Sequence, residues 1–373
     1  MNLVAIKSAI DALSAPTISF TILTVIFPFI FPPSDWFEKI HRKTGLWRMW
    51  TKPGGLIGMI LITAFFVIGY FDIYFNKTLT KADNFPIVLM IYSMWFLIWL
   101  GMYKAYRNDI RLEQGLKPEE YNDPDDKVLV WPDLVYIEFI ALILFQVFLI
   151  VWSILVAAPI EEPANPAATP NPSKAPWYFL GLQEMLVYYD PWIAGVLLPT
   201  FIIVGLMAIP YLDINKKGDG YYSFKERRVG IFIFMYGWVV LWLFLIIIGT
   251  FFRGPNWNFF GPFEYWDTHK VEALTNVNLS EILWVKWLNQ GLPSNILIRE
   301  GLGFIVTGLY LFVLPVILAK TYLKDMLAAY GPTRFVTLMI LGLVMLALPI
   351  KMYLRWIFNL QYIIAIPEWF LNI

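Results

Sequence analysis

The run LVYIEFIALILFQVFLIVWSILVAAPI, residues 134–160, decides the fold class. It holds one charged residue, Glu138, and is longer than the roughly 20 apolar residues that cross a bilayer as a helix. In hydrocarbon every backbone polar group must be satisfied within the segment, and a helix does this. Six further runs qualify, near residues 54–75, 85–103, 191–212, 229–252, 301–319 and 335–354. Seven spans are therefore expected. An eighth candidate, 17–31, is short and contains Pro28, so it is expected to cross only together with the amphipathic stretch before it. No small-residue cleavage site follows it, so no removable signal peptide is expected.

Composition agrees with a membrane-embedded chain. Hydrophobic residues make up 59%, charged residues 15%, and the mean hydropathy is +0.62, whereas soluble domains carry about 25% charged residues. The expected fold is all-α, a polytopic transmembrane helix bundle with one short helix on the outer surface. The formal net charge is +0, and no nucleic-acid partner is expected. Eighteen of the 28 Lys and Arg fall in alternate loops, represented by Lys39 to Lys52, Lys104 to Lys127, Lys216 to Arg228 and Lys320 to Arg334. The positive-inside bias puts those loops on the cytoplasmic or equivalent side.

The chain has no cysteine, which excludes disulfides, iron-sulfur ligation and covalent c-type haem attachment within it. Its two histidines, His41 and His269, fall in expected loops, and a b-type haem between helices needs paired imidazoles facing inward. No metal ligands are assigned. Phosphate-loop, dinucleotide and HExxH motifs are absent. Gly54 and Gly58 form a small-xxx-small pair that points to close helix packing.

On the outer side lies NPSKAPWYFLGLQEML, residues 171–186, behind prolines 159, 163, 166, 170, 172 and 176. The prolines direct an extended path out of the third of the seven spans. Pro176 suits the first turn of a new helix, with Ser173 as its cap, and the helical stretch from Trp177 to Tyr188 is too short to span. Trp177 and Glu184, seven residues apart, fall on one helical face, which sets a carboxylate beside an aromatic wall at the membrane edge. Such an acid is a candidate proton acceptor. The plainer reading is an interfacial belt, with Trp177 and Tyr178 as anchors and Glu184 in water.

Five motifs occur in order: WPDL at 131–134, EPANPAATP at 162–170, WYF at 177–179, IPYLD at 209–213 and ERRVGIFIFMYG at 226–237. With them, residues 121–252 resemble the C-terminal half of cytochrome b, most of all subunit IV of chloroplast-type cytochrome bf complexes. The resemblance divides the chain into an N-terminal transmembrane extension (1–112), a subunit IV-like region (113–253) and an outer loop with two further helices (254–373). In that family a Pro-Glu-Trp-Tyr segment lines the quinol oxidation site and its Glu is thought to accept a quinol proton. Here the aligned residues are Ala175, Pro176, Trp177 and Tyr178, so Pro176 stands in the Glu position. Glu184 is the substitute offered by helical spacing, with Tyr188 a further quinol-site candidate beside Tyr189 and Asp190.

The resemblance implies a haem-free subunit of a quinol:cytochrome oxidoreductase in an energy-transducing membrane, most simply a bacterial inner membrane. Implied partners are a four-His cytochrome b chain carrying the b-type haems, a Rieske protein carrying a 2Fe-2S centre and a c-type cytochrome, in a dimeric complex within the lipid membrane. Quinone and quinol would occupy shared sites. It also places the start of the third span near an inner quinone site, with Tyr136, Glu138 and Phe139 as candidates; a snorkelling or helix-paired Glu138 is an equal reading. The loop RGPNWNFFGPFEYWD, 253–267, opens a long outer segment expected to be folded, either for partner contact or as a cover over the bundle. IPEWF at 366–370 contains Pro-Glu-Trp outside the family's setting and is taken as an interface anchor. The rival classes are a transporter subunit, opposed by the few intramembrane charges, and a scaffold without a site.

Overall fold

A computed structural model describes residues 3–81, 84–122, 129–156, 163–214, 220–273, 275–369 and 371–373. Among these described residues seven helices are long and apolar enough to cross a membrane. The elements in chain order are α1 (Leu3–Ser14), α2 (Pro16–Ile30), α3 (Asp35–Thr44), α4 (Lys52–Tyr70), α5 (Ile73–Leu79) and α6 (Phe85–Glu113). They continue as α7 (Val130–Leu155), α8 (Leu180–Met185), α9 (Ile193–Leu212), α10 (Lys225–Phe252), α11 (279–287), α12 (Gly301–Lys320) and α13 (Lys324–Phe358). Among the described residues the only strands are β1 (Ala365–Ile366) and β2 (Leu371–Asn372), paired antiparallel. All seven expected spans are present, and α1 with α2 meets the same test as a pair bent by 74°.

Helix ends depart from the hydropathy estimate for local reasons. The span expected to run to residue 75 stops at Tyr70, because Asp72 opens a new helix, its Oδ1 accepting from Tyr74 N (2.9 Å) and Phe75 N (3.0 Å). α6 continues ten residues past the expected end at Tyr103 as a polar helix, since leaving the lipid removes hydrophobicity but not helix propensity. α13 is broken at Gly331 (φ 75°, ψ 167°), where Pro332 disfavours a helical residue before it and glycine tolerates the positive φ. The end of the third expected span, 157–160, and the first residues of the proline connector, Pro159 included, lie outside the described residues.

The chain forms two compact units. One comprises residues 29–170 and 219–231. In it α4 packs on α6 through glycines, but the pair is Gly55 and Gly58 rather than Gly54 and Gly58. A Cβ on Gly55 would lie 2.3 Å from the Trp99 ring and one on Gly58 2.0 Å from the Trp95 ring, while Gly54 meets its own preceding turn. Both indoles are also anchored, Trp95 Nε1 donating to Gly55 O (3.0 Å) and Trp99 Nε1 to Thr51 O (2.9 Å). At the polar end of α6 the buried Asp109 accepts from Ser223 Oγ (2.7 Å), Phe224 N (3.2 Å) and Lys225 N (3.1 Å), tying 223–225 to the helix. α7 is exposed along its whole length.

The other unit comprises residues 1–28, 171–218 and 232–373. Phe20, fully buried, sits against Phe244 (5.3 Å), Tyr353 (5.8 Å) and Trp356 (5.7 Å). α2, α10 and α13 thus share one aromatic core. The compact units cut across the three segments suggested by resemblance: those divide the sequence by kinship, the units by packing.

Candidate outer-surface site

The short helix expected from Trp177 to Tyr188 is present over Trp177–Met185, but its cap is different. Pro176 is extended (φ −51°, ψ 147°), Trp177–Phe179 make one tight turn and α8 follows. Ser173 makes no capping bond to this turn. Gln183 reaches back instead, its Oε1 accepting from Ala175 N (2.7 Å) and its Nε2 donating to Ser173 O (2.8 Å). α8 lies on α10 at two small residues: a Cβ on Gly181 would come 3.2 Å from Ile246, and one on Gly249 3.3 Å from Leu180 O.

This packing fixes which residues face outward. Tyr178 and Phe179 are each 52% exposed, Pro176 is exposed and Trp177 half-buried. Tyr178 stands edge-on to Trp177 (5.7 Å) and to Trp242 of α10 (5.8 Å). Together they make an open aromatic ledge.

Glu184 does not share that ledge and does not point to water; it is 0% exposed. Arg253 Nη2 donates to its Oε1 (2.5 Å), while Arg253 Nε (2.9 Å) and Trp257 Nε1 (3.0 Å) donate to its Oε2. Burial, the largest single effect, would lower the Arg253 pKa; the Glu184 charge and its hydrogen bonds, with Tyr188 and Glu272, together outweigh it and hold the guanidinium above its ordinary value. Both carboxylate oxygens are therefore engaged. A proton reaching Glu184 would have to displace a guanidinium bond at a site closed to solvent.

Arg253 and Trp257 were not identified from the sequence as partners of Glu184. Arg253 is the first residue after the apolar run of α10, and the turn that follows returns Trp257 to Glu184 through two positive φ values, Asn256 (57°) and Trp257 (60°). A positive φ is costly for a bulky residue. It is held here by Arg253 Nη1 donating to Trp257 O (2.9 Å) and by Phe260 N donating to Phe252 O (2.8 Å). The segment after α10 is folded from its first residues, and at the start of α11 Asn278 N donates to Glu281 Oε2 (2.9 Å).

The remaining candidates are dispersed. Tyr188 is buried beside Trp356 (5.8 Å), and burial first, then the Glu184 charge, push its pKa well above the ordinary tyrosine value. Tyr189 is buried, and Asp190 Oδ2 accepts from Asn372 Nδ2 (3.0 Å). Tyr136, Glu138 and Phe139 stand exposed at the start of α7, with Tyr136 stacked on Trp131 (6.3 Å). Glu368 of the IPEWF stretch is bound at both oxygens by Arg299 (2.9 Å each).

His41, expected in a loop, is buried in α3 with Nδ1 donating to Phe29 O (2.7 Å), whereas His269 lies in an exposed turn.

With its seven membrane-length apolar helices and almost no strand, the chain is an integral membrane protein of the all-α polytopic class. Residues 163–263 match the family model described as Cytochrome b(C-terminal)/b6/petD. That segment, a little over a quarter of the chain, is similar to a cytochrome b C-terminal region, and it contains the aromatic ledge, α8, Glu184, Arg253 and Trp257. No solved structure matches the chain significantly.

Proposed function

We propose that this chain is a haem-free, C-terminal cytochrome b subunit of a quinol:cytochrome oxidoreductase and forms part of the outer-side quinol oxidation site. The observation that carries this is the aromatic ledge at 176–179, which lies inside the family segment and is seated on α10 by Gly181 and Gly249. A quinol is a flat aromatic ring with an apolar tail, and an exposed aromatic ledge at a membrane surface offers stacking and tail contact together. In this reading Pro176, Trp177 and Tyr178 contact the quinol. Two electrons and two protons leave it, one electron to a Rieske centre and one to a b-type haem, both on partner chains, and the protons go to the outer side.

Glu184 enters in a revised role. Held by Arg253 and Trp257, it fixes α8 to the outer loop and so aims the ledge; proton acceptance there requires the pair to open. Tyr188, being buried, supports α8 from beneath. Tyr136, Glu138 and Phe139 can line an inner quinone site only with surface from another chain, since α7 is bare.

The test is quinol-dependent reduction of b-type haem in the complex that copurifies with a tagged chain. A reducible b band is expected, and Trp177→Ala should lower turnover about tenfold or more and raise the quinol KM while the complex remains assembled. An intact stoichiometric complex without haem refutes the oxidoreductase and favours a transporter or scaffold. A normal rate in both Trp177→Ala and Tyr178→Ala refutes the ledge.

A further inference from the structure

The outer half of α13 carries two cations, Lys351 and Arg355, that no carboxylate among the described residues balances. Lys351 is 2% exposed, and its Nζ has no hydrogen-bond partner; Nη1 of Arg355, one turn later, is likewise buried and unpartnered. Among the described residues neither forms an ion pair with a carboxylate. The Lys351 ammonium lies instead 5.7 Å from the Tyr189 ring and 5.5 Å from the Tyr362 ring. Ring faces attract a cation but accept no full hydrogen bond from it. Like charges at i and i+4 on a helix also repel. An unpaired buried cation is costly, and at membrane depth it marks a site whose partner must be found.

Depth indicates the partner. From Arg334, whose Nε donates to Tyr211 O (2.9 Å), to Arg355 the rise along α13 is about 32 Å, close to the roughly 30 Å of a hydrocarbon core. Arg355 therefore lies at headgroup level when Arg334 marks the opposite boundary, with Lys351 one turn deeper. Ile350, Ile357 and Phe358 of the same helix end present exposed apolar surface suited to acyl chains. We infer that Lys351 and Arg355 form a binding site for a phosphate anion, supplied by the headgroup of an outer-leaflet phospholipid. Arg355 gives the planar donor pair that phosphate oxygens accept, and Lys351 adds a point charge behind it. This site stands independently of the quinol reading.

The experiment measures bound lipid on the full chain within its purified complex, by native mass spectrometry after detergent washing and after titration with phosphatidylglycerol. Wild type is expected to retain phospholipid, and the double variant Lys351→Met with Arg355→Gln to retain at least fivefold less. The charge-preserving pair Lys351→Arg with Arg355→Lys should restore retention and shows that loss is not misfolding. If inorganic phosphate alone protects delipidated wild type against heat, and not the double variant, the anion site holds and its source is free phosphate. Equal lipid retention by wild type and the double variant, with no protection by phosphate, overturns the site.

Discussion

Arg253→Met tests the buried lock most directly. The substitution keeps much of the side-chain volume and removes the two donors to Glu184, at 2.5 and 2.9 Å, and the donor to Trp257 O, at 2.9 Å. It leaves a carboxylate with no solvent exposure and a single remaining donor, Trp257 Nε1. Breaking a buried pair by deleting one partner costs about 3–5 kcal/mol, because the other charge stays behind. At about 2–4 °C per kcal/mol for a unit of some two hundred residues, that is a fall of about 6–20 °C in Tm. Glu184→Gln strands the guanidinium in the same way and should fall in the same range. The double variant Glu184→Met with Arg253→Met removes both charges, and replacing a whole buried pair by apolar groups is often close to neutral. The assay is thermal unfolding of the purified complex for wild type, both singles and the double. The expected result is a double variant more stable than either single. Single variants within about 2 °C of wild type, or a double equal to the sum of the singles, would show that Glu184 and Arg253 are not coupled.

Further outcomes follow from other parts of the fold. Gly58→Ala puts a Cβ 2.0 Å from the Trp95 ring and should cost about 1–3 kcal/mol, read as a lower Tm. His41 has its pKa lowered from 6.5, chiefly by burial. Its unfolded form therefore binds a proton first as pH falls, so its contribution is present above about pH 6.5 and is lost progressively below it. A pH series of Tm between 8 and 5 should fall less steeply for His41→Gln than for wild type; identical slopes refute the assignment. Trp177→Ala should depress quinol turnover and, because its side chain is half-buried, also lower thermal stability by about 1–3 kcal/mol, whereas the exposed Tyr178→Ala should lower turnover at smaller cost.

The sequence by itself determined the spans, because an apolar run of membrane length has one way to satisfy its backbone, and that requirement is local. It also located the surface helix, since five prolines forbid helix before it and Pro176 can open one. Asp72 as a cap and the break at Gly331–Pro332 are equally local, but they came to light only in the structure. What it could not show was the company each side chain keeps. Helical spacing assigned Glu184 to the Trp177 face because 3.6 residues per turn is all that spacing contains. The packing of α8 on α10 instead turned Glu184 inward to Arg253, 69 positions away in sequence. Gly54 and Gly58 matched a pattern, but only the indoles of α6 reveal that Gly55 and Gly58 are the ones approached. His41 read as a surface loop residue until its helix and the Phe29 carbonyl buried it. Lys351 drew no notice within the apolar run 335–354. Only the rings of Tyr189 and Tyr362, brought together by the fold, show an ammonium shut away from water without a counter-charge, because pairing and burial belong to distances between segments rather than to any one segment.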